Sequence, residues 1–488
     1  MSFLRISSLK SNLNAKIIHV SLVKKIFVWS LLFEPLQYFI MFPQNASGFG
    51  GNISRLLQFI VIFLLFFKVL LTGKASLAKP FSVNNRGYAY FFLLSIFAGI
   101  IGYLNGSYSF IPSDILLNSQ SNVRFIVTVL RPFFEYFIAL YYFVYFVVLA
   151  QYMLFTKEDI DYFFKWFKIV FLALLFIGFA DLILKTIVSV SFLEEAVYSG
   201  INIQFHKDLS PGMRFHSFIG EPRAAFIYLF FGLALLSLMD TWNQTKKLTL
   251  LLSILIFVAI FFTQAVSGIL GLVCVLFLLI IYYFHLFSIN KKILFLFSIL
   301  LMVIFIVPFL LFPSIMYDFI DEFLTVRIRG YLGASIYLFN NLNEGIEIKS
   351  WLSKVMNNVY PIWHLWTEVR NFNFFHLFFG NGLGSASIIN TYYLNSWSIS
   401  NPNSGIVRML YENGIFGILL FITAFLGPIK RMSLNYEIYR KLTFYTIVLL
   451  GLYFGHRSST LYIFFGVALA ILRYQSVEIK TKYNSIKS

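Results

Sequence analysis

Runs of about twenty apolar residues recur along this chain, and they decide what it can fold into. An α-helix rises 1.5 Å per residue, so roughly 20 residues cross a hydrocarbon core about 30 Å thick. Twelve such runs lie near 24–42, 55–73, 87–105, 124–152, 163–188, 220–239, 247–264, 267–287, 293–312, 404–427, 441–456 and 459–474. Inside a bilayer every backbone N–H and C=O must be paired within the segment, which restricts such runs to helices. Composition agrees. With 59% hydrophobic and 12% charged residues in 488, and mean hydropathy +0.79, the chain has too little polar surface to cover a soluble globule. The expected fold is an all-α polytopic membrane protein with about 12 transmembrane helices, forming a single integral membrane domain over 1–488.

The net charge of +17 would suggest nucleic acid in a soluble protein. Here the placement of the charges gives another reason. If the N-terminus is cytoplasmic, the connections on that side hold Lys74, Lys79 and Arg86, then Lys157, Lys246 and Lys247, Lys291 and Lys292, and finally Lys430, Arg431, Arg440 and Lys441. Both tails are basic too, whereas opposite connections such as LNGSYSFIPSDILLNSQSN carry almost no Lys or Arg. This is the asymmetry that orients membrane proteins, so both termini are expected in the cytoplasm and no nucleic-acid partner is implied. The single cysteine, Cys274, sits within an apolar run and excludes an intrachain disulfide framework or a cysteine-based metal site. The polar, basic start leads into a long span without a small-residue cleavage pattern, so the first span is expected to remain.

This topology leaves two substantial segments on the outer face, a smaller one at 189–219 and a large one at 313–403. Long connections in compact proteins are functional or disordered, and composition favours order in the larger. It holds four of the seven tryptophans, Trp351, Trp363, Trp366 and Trp397, and stretches of mixed character such as WLSKVMNNVYPIWHLWTEV that suit helices lying along a membrane surface. Two readings of those aromatics stay open, an interfacial belt and a sugar-stacking platform. No internal repeat of the transporter kind is evident.

Ionisable residues within spans are costly and are expected to pair or to face a polar interior. Arg131 and Glu135, Asp181 and Lys185, and Arg408 and Glu412 are each four apart, which places both partners on one helix face. Mutual neutralisation suits Asp181 and Lys185. Arg408 follows the polar entry NPNSG at the outer end of its helix, where a guanidinium oriented by Glu412 can present several donors to phosphate oxygens. A second concentration of charge is MRFHSFIGEPRAAFIYLF, residues 213–230, in which Arg214, His216, Glu221 and Arg223 surround the entry to the sixth run. Pro222 suits a helix start, and the first turn directs free N–H groups and a positive dipole end outward. Interfacial anchoring is the simpler reading of Arg223 and His216. Basic residues at an outer mouth point to a phosphate-bearing substrate. With no Gly-rich phosphate loop and no DxD-like pair in a cytoplasmic segment, a lipid-linked activated sugar fits better than a nucleotide.

These stretches resemble the bacterial O-antigen polymerase (Wzy) and O-antigen ligase (WaaL) group. RFHSFIGEP followed by RAAFIYLFFGLALL resembles the polymerase pattern of an arginine, small residues and an aromatic before Glu-Pro opens a helix. TQAVSGILGL resembles the family's Thr, Ser and Gly turn between two helices, though without its frequent arginine. FFGNGLGSASIIN resembles the Gly-x-Gly stretch late in the large periplasmic loop, and NPNSGIVRMLYENGIFGILLF the helix that follows. The likeness covers about 205–475. Ligases carry a His-Asn pair where this chain has Asn403 and Ser404, which shifts weight to the polymerase.

The resemblance implies transfer of a growing glycan between undecaprenyl-diphosphate-linked donor and acceptor at the periplasmic face of the bacterial inner membrane. No metal or other cofactor is needed in that family. Membrane lipid, a chain-length regulator and a flippase are the implied partners. Such chemistry needs stabilisation of the departing diphosphate and activation of an acceptor hydroxyl. On this basis Arg214, Arg408 and one of Arg327, Arg329 or Arg457 are candidates for the diphosphate. Glu221 is the candidate base, with His216 or His456 as alternates, and Arg223, Glu412, Asn403 and Ser404 are supporting residues. Ligation to lipid A core, and flipping of a lipid-linked oligosaccharide, are the competing readings.

Overall fold

The computed structural model describes residues 13–34, 53–72, 86–104, 131–188, 215, 217, 222–243, 247–263, 360–362, 364–393, 405–432, 436–452 and 458–487. Among them the regular structure is entirely helical. The elements are α1 (Leu13–Phe33), α2 (Ile53–Thr72), α3 (Arg86–Leu104), α4 (Arg131–Tyr142), a π-helical segment (Phe143–Leu149), α5 (Ala150–Met153), α6 (Lys157–Val188), α7 (Pro222–Asn243) and α8 (Lys247–Phe262). The short α9 (Phe375–Phe379) and α10 (Ser385–Tyr393) follow, then α11 (Gly405–Met432), α12 (Tyr436–Leu452) and α13 (Ser459–Lys487).

Five stretches are long and apolar enough to cross a membrane: Ile53–Leu70, Pro132–Met153, Lys157–Lys185, Gly405–Met432 and Ser459–Val477. Arg86–Gly102 and Ala225–Asp240 are shorter apolar helices. Ten of the twelve expected runs overlap described helices at least in part, and five of the described helices are long and apolar enough to span. The runs at 267–287 and 293–312, most of the 189–219 segment, and residues 313–359, 363 and 394–403 of the large segment lie outside the described residues. Boundaries differ where local chemistry overrides hydropathy. α1 starts at Leu13 rather than 24 and stops at Phe33, because Glu34 precedes Pro35, whose ring disfavours helical geometry at the preceding residue. α13 continues to Lys487, well past the apolar run.

Specific contacts fix two ends of the bundle. At the first end Lys24 bonds Asp159 (2.5 Å), Trp29 packs on Trp166 (centroids 4.8 Å), Trp242 Nε1 donates to Asp161 (2.6 Å), and Trp242 meets Tyr474. The second end gathers Glu135 of α4, Arg408 of α11, Gly102 of α3 and Asn381, along with Phe215, whose N–H donates to the Phe262 carbonyl (2.8 Å). The core between the ends is rich in aromatics. Tyr88 stacks on Phe143 (4.0 Å), and its hydroxyl donates to the Ala139 carbonyl (2.8 Å) while meeting the Tyr462 hydroxyl (3.0 Å). α13 lies directly on the π-helical segment at Gly466, where a Cβ would run into the Phe146 carbonyl. Only a glycine allows that approach.

Candidate functional site

Arg408, in the first turn of α11, is the centre of the polar chemistry described at the second end. Its Nε lies 3.0 Å from Glu412 Oε1, four residues on, as the spacing predicts. Its Nη2 lies 3.0 Å from Glu135 Oε1 on α4. The same spacing rule pairs Glu135 with Arg131 on its own helix, and Glu135 also reaches across to α11. The Arg131 side chain lies outside the described residues. Both carboxylates are fully buried and Arg408 is 8% exposed, so a guanidinium in a low-dielectric interior is held by two acids from two helices. Removing the guanidinium from such a buried set leaves the two carboxylates uncompensated, at a cost of about 3–5 kcal/mol.

The backbone around Arg408 is built by glycine. α11 breaks at Gly414, where φ is 63° and ψ −174°, a conformation with little cost only for glycine. The break frees the Tyr411 and Glu412 carbonyls from intrahelical bonding. The FGNGLG loop between α9 and α10 replaces those partners: the Asn381 N–H and Nδ2 donate to the Tyr411 carbonyl (3.0 and 3.3 Å), and the Gly382 N–H donates to that of Glu412 (2.7 Å). For the loop to enter, three helices must give way. A Cβ at Gly382 would strike Gly99 of α3, one at Gly384 would press on Pro132 of α4, and one at Gly414 would strike the Phe378 carbonyl. Hydroxyls and amides complete the junction. Ser95 donates to Asn413 Oδ1 (2.5 Å), and Tyr136 donates to the Ser95 carbonyl (2.6 Å) while accepting from the Leu383 N–H (3.3 Å).

The helical residues 364–370 cap this assembly. His364 Nδ1 is 3.2 Å from the Tyr411 hydroxyl, and both side chains are buried. Burial pushes the His364 imidazole down to about 4, with Glu368 opposing and His376 adding to the shift, so it is neutral near pH 7. Nothing in the spacing of residues marks His364, Tyr411, Ser95 and Asn381 as a group, because they are joined by the fold alone.

A separate network joins α1, α2 and α4. The fully buried Glu34 accepts from Ser54 (2.6 Å), Gln58 Nε2 (2.6 Å) and Arg55 Nη2 (2.8 Å). Arg55 also donates to the Tyr142 hydroxyl (2.9 Å) and lies over the rings of Tyr141 and Tyr142. Glu34 stands alone inside an apolar run and Arg55 at the edge of the next, and that isolation is their one sequence signal. Asp181 and Lys185 pair at 3.2 Å along α6.

Of the other expected site residues, Arg223 is the second residue of α7, with its side chain outside the described residues. Arg214, His216, Glu221, Arg327, Arg329, Asn403, Ser404, His456 and Arg457 also lie outside them. Among the described residues no group of three or more His, Cys, Asp or Glu could hold a metal ion. No protein-family model, curated protein or solved structure matches the chain.

Proposed function

We propose that this membrane protein is a surface-polysaccharide polymerase that joins undecaprenyl-diphosphate-linked repeat units at the outer face of a bacterial inner membrane, within a bundle of twelve spans. One observation carries most of the support. FGNGLG and VRMLYENG, two stretches that resemble the O-antigen polymerase and ligase group and lie well apart in sequence, are interlocked around a buried arginine with two carboxylates. That is the environment expected of a structured catalytic face rather than of a surface anchor. Arg408 commits its Nε to Glu412 and its Nη2 to Glu135, which leaves less of the guanidinium for phosphate. In this reading the diphosphate falls first to Arg214 with Arg327, Arg329 or Arg457, and Arg408 orients the wall of the site. Glu221 activates the acceptor hydroxyl, with His216 and His456 as alternates, and transfer needs no metal.

The charges away from this face weigh against a flippase. Glu34 with Arg55, and Asp181 with Lys185, are neutralised locally instead of lining a path. The test is the glycan profile of cells carrying Glu221→Gln. Loss of long chains with single-repeat products retained supports polymerisation; polymer that accumulates unattached points to a ligase, and a normal ladder removes Glu221 from the mechanism.

A further inference from the structure

The turn that ends the helical residues 364–370 contains a conformation that the chain's own contacts do not explain. The Asn373 N–H donates to the Glu368 carbonyl (2.9 Å) and the Phe372 N–H to that of Val369 (3.0 Å), the paired bonds of a Schellman helix end. The position between helix and exit must take positive φ and is normally glycine. Here it is Phe372, at φ 60°. A bulky side chain in the left-handed region is an outlier, and this one gains nothing from packing within the protein, since it is 85% exposed.

Its surroundings indicate what the ring meets. Ile362, Trp366 and Arg370 recur every fourth residue and form one stripe on the side away from the buried His364 and Leu365. Trp366 is 54% exposed and Phe374 45%. The stripe is thus aliphatic and aromatic, ends on an exposed arginine, and stands at the same end of the bundle as the outer starts of α4 and α11. We propose that Phe372, with Trp366 and Phe374, forms a wedge that dips into the headgroup layer of the surrounding bilayer, with Arg370 on lipid phosphate. Aromatic rings and arginine stems favour this layer, where one end of the group is apolar and the other wet. A glycan platform would call instead on polar groups beside the ring. Of the polar groups close in sequence, Glu368 and Asn373 are bonded to each other (2.6 Å).

The full-length protein carrying Cys274→Ala and Phe372→Cys, labelled with a nitroxide and reconstituted in phosphatidylethanolamine–phosphatidylglycerol nanodiscs, tests this. The label should collide more readily with oxygen than with an aqueous nickel chelate. Trp366→Cys should show the same preference and checks the result if the Phe372 variant folds poorly. Greater access to nickel at both positions, or shielding from nickel that needs added glycan, would overturn the proposal. The latter outcome assigns the ring to sugar.

Discussion

At the scale of residues, Arg408 decides more than any other described side chain. Replacing it with Gln leaves Glu135 and Glu412 buried without their cation and should cost about 3–5 kcal/mol. Glu135→Gln leaves an Arg408–Glu412 pair intact and should cost less, about 1–2 kcal/mol. Thermal unfolding of both variants in detergent checks the order; equal losses would show that α4 and α11 are not held by this charge set. His364 gives a second prediction. Its folded-state value lies below that of a free histidine, so the unfolded chain binds more protons between pH 6.5 and 4. The stability tied to neutral His364 is therefore present above about pH 6.5 and is lost as pH falls toward 4, on the order of 3 kcal/mol in all. His364→Asn should flatten the unfolding midpoint across that window. Spacing places Glu412 against Arg408 correctly because both are on one helix. It assigns Glu135 to Arg131 and cannot see across to α11, since a spacing rule carries no information about which helices become neighbours.

At the scale of elements, the break in α11 and the loop that fills it form one unit. Gly414→Ala combines a left-handed backbone with a Cβ against the Phe378 carbonyl, and Gly382→Ala drives a Cβ into α3. Each should destabilise by more than about 2 kcal/mol. At Gly451, in α12, an added Cβ would meet nothing within 4 Å, so Gly451→Ala should be neutral or stabilise by up to about 1 kcal/mol through helix propensity. Melting of the three variants side by side separates close approach from ordinary helix glycine; similar midpoints would refute the interlock. Hydropathy locates the helix but not its interruption, because the run around Asn413 and Gly414 stays apolar enough on average to read as one span. The FGNGLG stretch is recognisable as a special segment, yet its partner emerges only with the carbonyls of Tyr411 and Glu412 that the helix break exposes.

At the scale of the molecule, the helices are legible in the sequence because the length of an apolar run is imposed by the bilayer. The proposed sidedness predicts that, in a Cys274→Ala background, a cysteine at Glu158 reacts with an impermeant thiol reagent only after cells are permeabilised, whereas one at Phe374 reacts in intact spheroplasts. The reverse pattern would invert the protein and move the Arg408 face to the cytoplasm. Within this architecture the widened turns at Phe143–Leu149 set a rotational phase. Each residue of an α-helix advances the direction of its side chain by about 100°. Closing all seven residues to regular α-helix with none removed, and with Gln151 still held beside Arg473, would wind the segment further by about the angle of one residue. Everything from Arg131 to Tyr142 would then swing by about that angle, carrying Glu135 off Arg408 and Tyr142 off Arg55. A change that leaves the hydropathy profile nearly untouched would uncouple both polar networks at once.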